Sequence, residues 1–136
     1  MTNSKILRGI RNNNPLNIRI GNSWLGEVKN PTDNEFEQFV HVCYGLRAGF
    51  VLLRRYINRY KLNTIEKIIS RWAPSNENNT RSYINQVARG MKIDPNTPLH
   101  YKDRNRMCAL VYEMVYVENG QHIQMTEIVA AYNIAN

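Results

Sequence analysis

The chain has 136 residues, 43% of them hydrophobic and 21% charged, which is an ordinary balance for a globular protein. This length suits one domain with a hydrophobic core, and no apolar run approaches the roughly 20 residues that span a bilayer. Disorder and membrane insertion are therefore not expected. The formal charge of +7 favours a polyanionic partner such as nucleic acid, an anionic envelope or a cell-wall polymer.

The first 42 residues are rich in Asn, Gly and Pro and are predicted to form turns with a small β element. The best candidate strands are residues 17–20 and 36–40, which are separated by turn signals such as Gly21 and Asn22. The first residues contain no continuous apolar segment, so no secretory signal peptide is expected.

From residue 44 onward the apolar residues recur with a helical period. The first predicted helix turns one face inward, formed by Leu46, Phe50, Leu53, Ile57 and Tyr60. A second helix is expected to begin after an N-cap at Asn63 and to stop at Pro74. Trp72 continues its apolar stripe and is expected in the core.

Three more helices are predicted after a polar turn at residues 75–79. Asn79 or Thr80 can cap the third helix, Asp103 the fourth and Thr126 the last. The chain is therefore predicted to be one mainly helical domain over residues 1–136. Its turn and β region covers residues 1–42, and its helical region, a bundle of about five helices, covers residues 43–136.

The cysteines and histidines do not suggest a metal site. Cys43 and Cys108 are isolated in apolar helical patterns, which is typical of core residues in a reduced protein. His41, His100 and His122 lack the spacing of known zinc motifs. Neither a metal nor a cofactor is expected.

Glu118 stands where the fourth predicted helix ends. The inward positions of that helix are Met107, Leu110, Val111 and Met114, and four residues further comes Glu118. Apolar neighbours and the helix C-terminus both disfavour a charged carboxylate there, so its pKa should be raised, as in a general acid. Alternatively, Asn119 and Gly120 simply end the helix and Glu118 turns into water. Glu113, on the opposite face, is expected to be solvated and dispensable.

Several segments resemble a family of small virion-associated proteins of phages and prophages, with the pattern RNNNPxNIR, RWAPxxENNT and ENG. The corresponding stretches are RGIRNNNPLNIR at residues 8–19, RWAPSNENNT at 71–80 and ENG at 118–120. The resemblance covers nearly the whole chain and implies a relation to lysozyme-like peptidoglycan hydrolases and lytic transglycosylases. It implies a lysozyme-like α+β fold, circularly permuted, with the two termini close together. The family has glycine at Leu16, so close approach of a ligand there is in doubt.

This resemblance implies a muramidase or lytic transglycosylase that cleaves the β-1,4 bond between N-acetylmuramic acid and N-acetylglucosamine. Glu118 would be its general acid and Glu37 the preferred second carboxylate. A lytic transglycosylase of this kind needs only one carboxylate, because the N-acetyl group of the substrate takes the second role. The expected sugar-binding residues are Asn14, Asn17, Trp24, Arg11 and Asn119. Asparagines beside a proline are more often turn formers, and core packing explains Trp24 equally well.

Peptidoglycan glycan strands are the expected partner, followed by other virion proteins. Nucleic acid is less favoured, because the basic residues are spread over the helices. Such a protein would be associated with the virion, or reside in the host cytoplasm before release, and would act in the periplasm or cell wall. The alternative is a non-catalytic virion structural protein that binds other virion proteins or DNA. A bacterial toxin or envelope-remodelling effector with the same chemistry is a third possibility.

Overall fold

The computed structural model describes residues 7–74 and 76–135. Residues 1–6, on which the signal-peptide prediction depends, lie outside the described residues, as do Ser75 and the side chains of Glu77 and Asn78 in the predicted polar turn. The described helices are α1 (Arg8–Arg11), α2 (Val42–Arg54) with a π-helical turn (Arg55–Arg59), α3 (Ile65–Trp72), α4 (Glu77–Met91), α5 (Arg104–Asn119) and α6 (Met125–Ala135). The predicted mainly helical class is confirmed, whereas the lysozyme-like α+β assignment stays a prediction.

The N-terminal region contains less β structure than expected. In place of strands at residues 17–20 and 36–40, the described residues show two isolated antiparallel bridges, Arg19 with Phe36 and Glu27 with Phe39. The N–H of Phe39 donates to the carbonyl of Asn12, so the pairing that begins at Phe36 does not continue as a ladder.

Helix α2 begins two residues earlier than expected, because His41 Nδ1 accepts the N–H of Cys43 at 3.0 Å. The predicted face is buried through Ile57. Tyr60, however, is 42% exposed. Its N–H donates to the carbonyl of Arg55, and this wider π-helical turn rotates Tyr60 off the buried stripe.

The other helices lie close to their predicted positions, with shifted caps. Thr64, not Asn63, caps α3 through its hydroxyl. Asn76, not Asn79 or Thr80, caps α4, since its side chain accepts the N–H of Asn79. Asp103 caps α5 as predicted, and α6 begins at Met125, one residue before the expected cap at Thr126.

The core forms where α2 packs against α6 and where α5 packs against α4 and α6. Phe50 of α2 meets Tyr132 of α6 edge-on at a ring distance of 5.3 Å. Cys108 is buried and Cys43 half-buried, and both are free thiols. Within the described ranges, no helix combines the length and hydrophobicity needed to cross a bilayer. Helix α1 and the asparagine-rich turn after it reach the C-terminal end of α5, which is where Glu118 lies.

Candidate functional site

Glu118 is half-buried, and two hydrogen-bond donors hold its carboxylate in place. Asn17 Nδ2 donates to Oε1 at 2.9 Å, and the hydroxyl of Tyr83 on α4 donates to Oε2 at 3.0 Å. Burial raises the pKa of Glu118 above its ordinary 4.5, while the hydrogen bonds and the charge of Arg19 oppose this shift. The direction agrees with the prediction, and the alternative in which Glu118 turns into water is wrong.

The end of α5 and the asparagine-rich turn are joined by Asn119. Its Nδ2 donates to the carbonyls of Pro15 at 2.7 Å and Val115 at 3.0 Å. Gly120 then ends the helix with φ 73°, a left-handed conformation that favours glycine. Asn17 is itself left-handed, with φ 53°. These local geometries bring the Asn17 amide to the carboxylate of Glu118.

Glu118 and Ala73 both line two adjoining surface hollows of about 610 and 570 Å³. The first hollow is mixed aromatic and polar, with Asn17, Arg19, Phe36, Tyr56 and Trp72 among its lining residues. The second lies between α4 and the end of α5. Trp72, which was expected in the core, is half-buried and faces the first hollow.

Of the predicted sugar-binding residues, Asn17 alone is among the described residues that line these hollows. Asn14 is fully buried, and its Nδ2 donates to the carbonyls of Ile18 and Glu37. Asn119 is buried beneath the helix end. Trp24 packs against the core elsewhere, and Arg11 lines a separate hollow.

Glu37 does not face Glu118. It is 7% exposed, lies beside the carboxylate of Glu27, and is absent from the described lining of both hollows. Burial and the neighbouring Glu27 raise its pKa to about 7. No other carboxylate lines either hollow among the described residues, so Glu118 lacks the second carboxylate that most glycosidases use.

The prediction that Glu113 is solvated is wrong. Glu113 is 8% exposed and fills the space over Gly90 of α4, where a Cβ atom would lie 2.2 Å from its Cδ. His122 Nε2 lies 3.6 Å from Glu113 Oε1. Because Gly90 has no side chain, it leaves room on α4 for the carboxylate of Glu113, which the apolar spacing of α5 had predicted to face solvent.

Sequence reasoning missed three of the residues that surround Glu118. Tyr83 was expected only as an inward residue of a helix, although a buried tyrosine hydroxyl usually needs a partner. Phe36 and Tyr56, which line the first hollow, gave no such signal. Leu16, where the family pattern has glycine, is fully buried with its Cδ1 against Gly49. Its side chain therefore belongs to the core.

The chain is 43% identical over 119 residues to Protein P5 of Pseudoalteromonas phage PM2, a match that covers 85% of this chain and 72% of Protein P5. No family model matches the chain. The phage relationship implied by the sequence resemblance is thereby supported.

The comparison overturns the prediction of a peptidoglycan hydrolase. The relative is a phage protein whose name states no hydrolytic activity, and the match favours the alternative, a non-catalytic virion structural protein. Among the described residues, Glu37 and the predicted sugar-binding residues other than Asn17 do not line the two hollows beside Glu118. The broader expectation that the chain is an enzyme stays a prediction.

Proposed function

Because the chain belongs to the family of Protein P5 of Pseudoalteromonas phage PM2, we propose that it is a non-catalytic component of a phage virion. The observation that carries this proposal is the 43% identity over 119 residues. In this role the chain binds other constituents of the particle. Although the basic residues are spread over several helices, residues 38–65 contain basic residues and no acidic ones, and for this reason packaged DNA is the constituent that we propose.

The distribution of charge supports a polyanionic partner. The formal charge is +7, and residues 38–65 contain no Asp or Glu. Their basic residues are Arg47, Arg54, Arg55, Arg59 and Lys61. Among the described residues, the ion pairs of Lys and Arg join Arg8 to Asp33 and Glu35, and Arg81 to Glu66. Most of the positive charge is therefore available to attract phosphate groups.

In this proposal the half-buried Glu118 is a structural residue. Its two oxygens accept hydrogen bonds from the asparagine-rich turn and from α4. A carboxylate that joins three separate segments explains its burial without catalysis, because hydrogen bonds to the charged form offset part of the desolvation.

The location can be tested in particles of the phage or prophage that encodes the chain. Purified particles should contain the protein at a constant ratio to the major capsid protein, as measured by quantitative mass spectrometry across a density gradient. A protein that stays in the lysate and is missing from the particle fractions would contradict the proposal.

The non-catalytic part of the proposal needs a separate assay. Purified peptidoglycan incubated with wild-type protein should release no soluble fragments beyond a buffer control, with lysozyme as the positive control. Release by wild-type protein that is lost in Glu118→Gln would show catalysis and would overturn this part.

A further inference from the structure

A third hollow, of about 450 Å³, lies where the π-helical turn after α2 meets the loop before α5. Its polar and cationic lining residues are Asn58, Lys61, Asn63, His100 and Lys102. Among the described residues that line it there is no Asp or Glu. It is therefore a concave surface with positive charge and several amide and imidazole groups that can donate hydrogen bonds.

The two loops that form this hollow are fixed to each other and to the core. The N–H of Leu99 donates to the carbonyl of Asn63 at 2.7 Å. Two residues further along the same loop, the carbonyl of Tyr101 accepts a hydrogen bond from the hydroxyl of Tyr132 on α6 at 2.7 Å. The two lysines are consequently presented by an ordered framework rather than by unattached loops.

Lys61 occupies a backbone conformation that a lysine does not favour. Its φ is 61°, in the left-handed region where glycine or asparagine is more common. Lys61 is also exposed, and none of the ion pairs in the described part of the chain involves Lys61 or Lys102. Lys92 has a similar φ of 59°, so this backbone conformation by itself does not indicate a ligand. The positive charge of Lys61 and Lys102, which none of these ion pairs neutralises, is what attracts an anion.

The start of α5 carries further positive charge. Lys102 precedes the helix, and Arg104 and Arg106 lie in its first turn, while the capping residue Asp103 carries a carboxylate between Lys102 and Arg104. That carboxylate accepts the N–H of Arg106 and is held against the helix start. Three basic side chains against one carboxylate leave this region with net positive charge, which attracts an anion.

We propose that this hollow binds a phosphate group of the DNA backbone, with Lys61 and Lys102 as the principal contacts. The inference rests on the proposed function, since packaged DNA is the polyanion that a virion component meets. Arg55 and Arg59, on the adjoining π-helical turn, extend the positive charge beyond the hollow. A continuous polyanion can contact these arginines and the hollow at the same time, whereas a single phosphate ion cannot.

A membrane surface fits this region less well than DNA. Proteins that lie on anionic membranes pair basic residues with exposed apolar side chains. Here the apolar residues that line the hollow, Ile57, Leu99 and Tyr101, are 6%, 1% and 4% exposed, and Tyr60, which precedes Lys61, adds one exposed aromatic ring beside it. Contacts to the DNA backbone need positive charge and hydrogen-bond donors rather than exposed apolar surface.

The test is binding of a fluorescently labelled DNA duplex, measured by anisotropy over a range of salt concentrations. Lys61→Gln with Lys102→Gln should weaken binding about tenfold per lysine near 0.1 M salt and should reduce the salt slope by about 2. The double variant Lys61→Arg with Lys102→Arg should keep most of the wild-type binding, because it keeps both positive charges. Unchanged thermal midpoints of the variants would show that they are folded.

The matched control is Lys92→Gln with Lys29→Gln. Lys92 is exposed with φ 59°, close to that of Lys61, and Lys29 is exposed as Lys102 is. An equal loss of binding in this control would show that net charge alone attracts DNA, and would overturn the assigned site. Wild-type protein that does not bind DNA would also overturn it, while leaving the particle measurement of the proposed function unaffected.

Two further probes separate other sources of phosphate. Inorganic phosphate should compete only weakly with the duplex, because it offers one contact rather than several. Vesicles of phosphatidylglycerol and phosphatidylcholine should not bind in a manner that depends on Lys61 and Lys102. Vesicle binding that is lost in the glutamine variants, with DNA binding unchanged, would assign the hollow to a membrane and overturn the DNA proposal.

Discussion

At the scale of single residues, the glutamates of this chain depend on distant neighbours. Glu118 is largely buried against Asn17 and Tyr83, and Glu113 is buried over Gly90 near His122. Both carboxylates lie on α5, yet their partners come from other segments. The aromatic rings of Tyr112 and Tyr116 stack on His122 at 4.1 and 4.7 Å, which holds the imidazole beside Glu113.

Removing the carboxylate of Glu118 should destabilise the fold. In Glu118→Ala the buried hydroxyl of Tyr83 and the amide of Asn17 lose their acceptor, which should lower the free energy of unfolding by about 1–3 kcal/mol. Glu118→Gln should lower it less, because its amide keeps one acceptor oxygen. Urea denaturation measures both variants.

The control is Glu127→Ala, which removes an exposed carboxylate from the first turn of α6. The loss there should stay below about 1 kcal/mol, the usual contribution of a helix-dipole interaction. If Glu118→Ala were as stable as this control, Glu118 would not hold the three segments together.

Glu37 should make stability fall as pH rises. Its pKa is raised from 4.5 to about 7 by burial and by the neighbouring Glu27. Between these two values the folded state keeps a proton that the unfolded state has lost, so unfolding is favoured progressively as pH increases. Glu37→Gln should flatten this part of the profile. Urea midpoints across the window measure the effect, with Glu127→Gln as the control; an unchanged slope in Glu37→Gln would contradict the assignment.

At the scale of elements, α2 and the asparagine-rich turn pack at the closest distance that glycine allows. A Cβ atom on Gly45 would lie 2.1 Å from the carbonyl oxygen of Asn13, and one on Gly49 would lie 2.3 Å from Cδ1 of Leu16. The clash at Gly45 involves backbone, which cannot turn aside as a side chain can. This contact positions the turn that carries Asn17.

Gly45→Ala should therefore destabilise the protein even though alanine favours helices. Alanine usually stabilises a helix by about 0.5–1 kcal/mol relative to glycine, whereas overpacking costs about 1–3 kcal/mol. A net loss of stability is expected in thermal unfolding. Ser70→Ala, at an exposed position of α3, serves as the control and should change little. A stabilised Gly45→Ala would show that the turn does not contact α2.

The helices were predictable because their signals are local. The apolar stripes of α3, α4 and α5 are buried except for Trp72 and Met91, which are half-buried. Asp103 and Gly120 mark the ends of α5 as expected. The caps of α3 and α4 were misplaced because several polar residues stand side by side at each start. The π-helical turn after α2 was missed because the spacing of the apolar residues gives no sign of an extra residue in the turn.

At the scale of the whole molecule, the N-terminal segment and the helices should unfold together. The hydrogen bonds from Asn17 to Glu118 and from Asn119 to Pro15 join them, and Leu16 is part of the core. The single domain predicted from length can be tested with the two tryptophans, since Trp24 lies in the N-terminal segment and Trp72 ends α3.

In Trp24→Phe and in Trp72→Phe, the remaining tryptophan reports on one region. Within each variant, the fluorescence and far-ultraviolet circular dichroism transitions in urea should coincide. An earlier fluorescence transition confined to the variant that retains Trp24 would show that the N-terminal segment unfolds separately, and would contradict a single domain.

By itself the sequence determined the helical class, most helix positions and the positive charge, because each depends on composition or on neighbours within a few residues. It left the direction of the Glu118 side chain open. The tertiary structure alone decided which groups those residues meet. The bond from Asn17 to Glu118 spans 101 residues and the bond from Tyr83 spans 35, and Glu37 meets Glu27 rather than Glu118. Such partners are brought together by the packing of separate segments, which no local periodicity encodes.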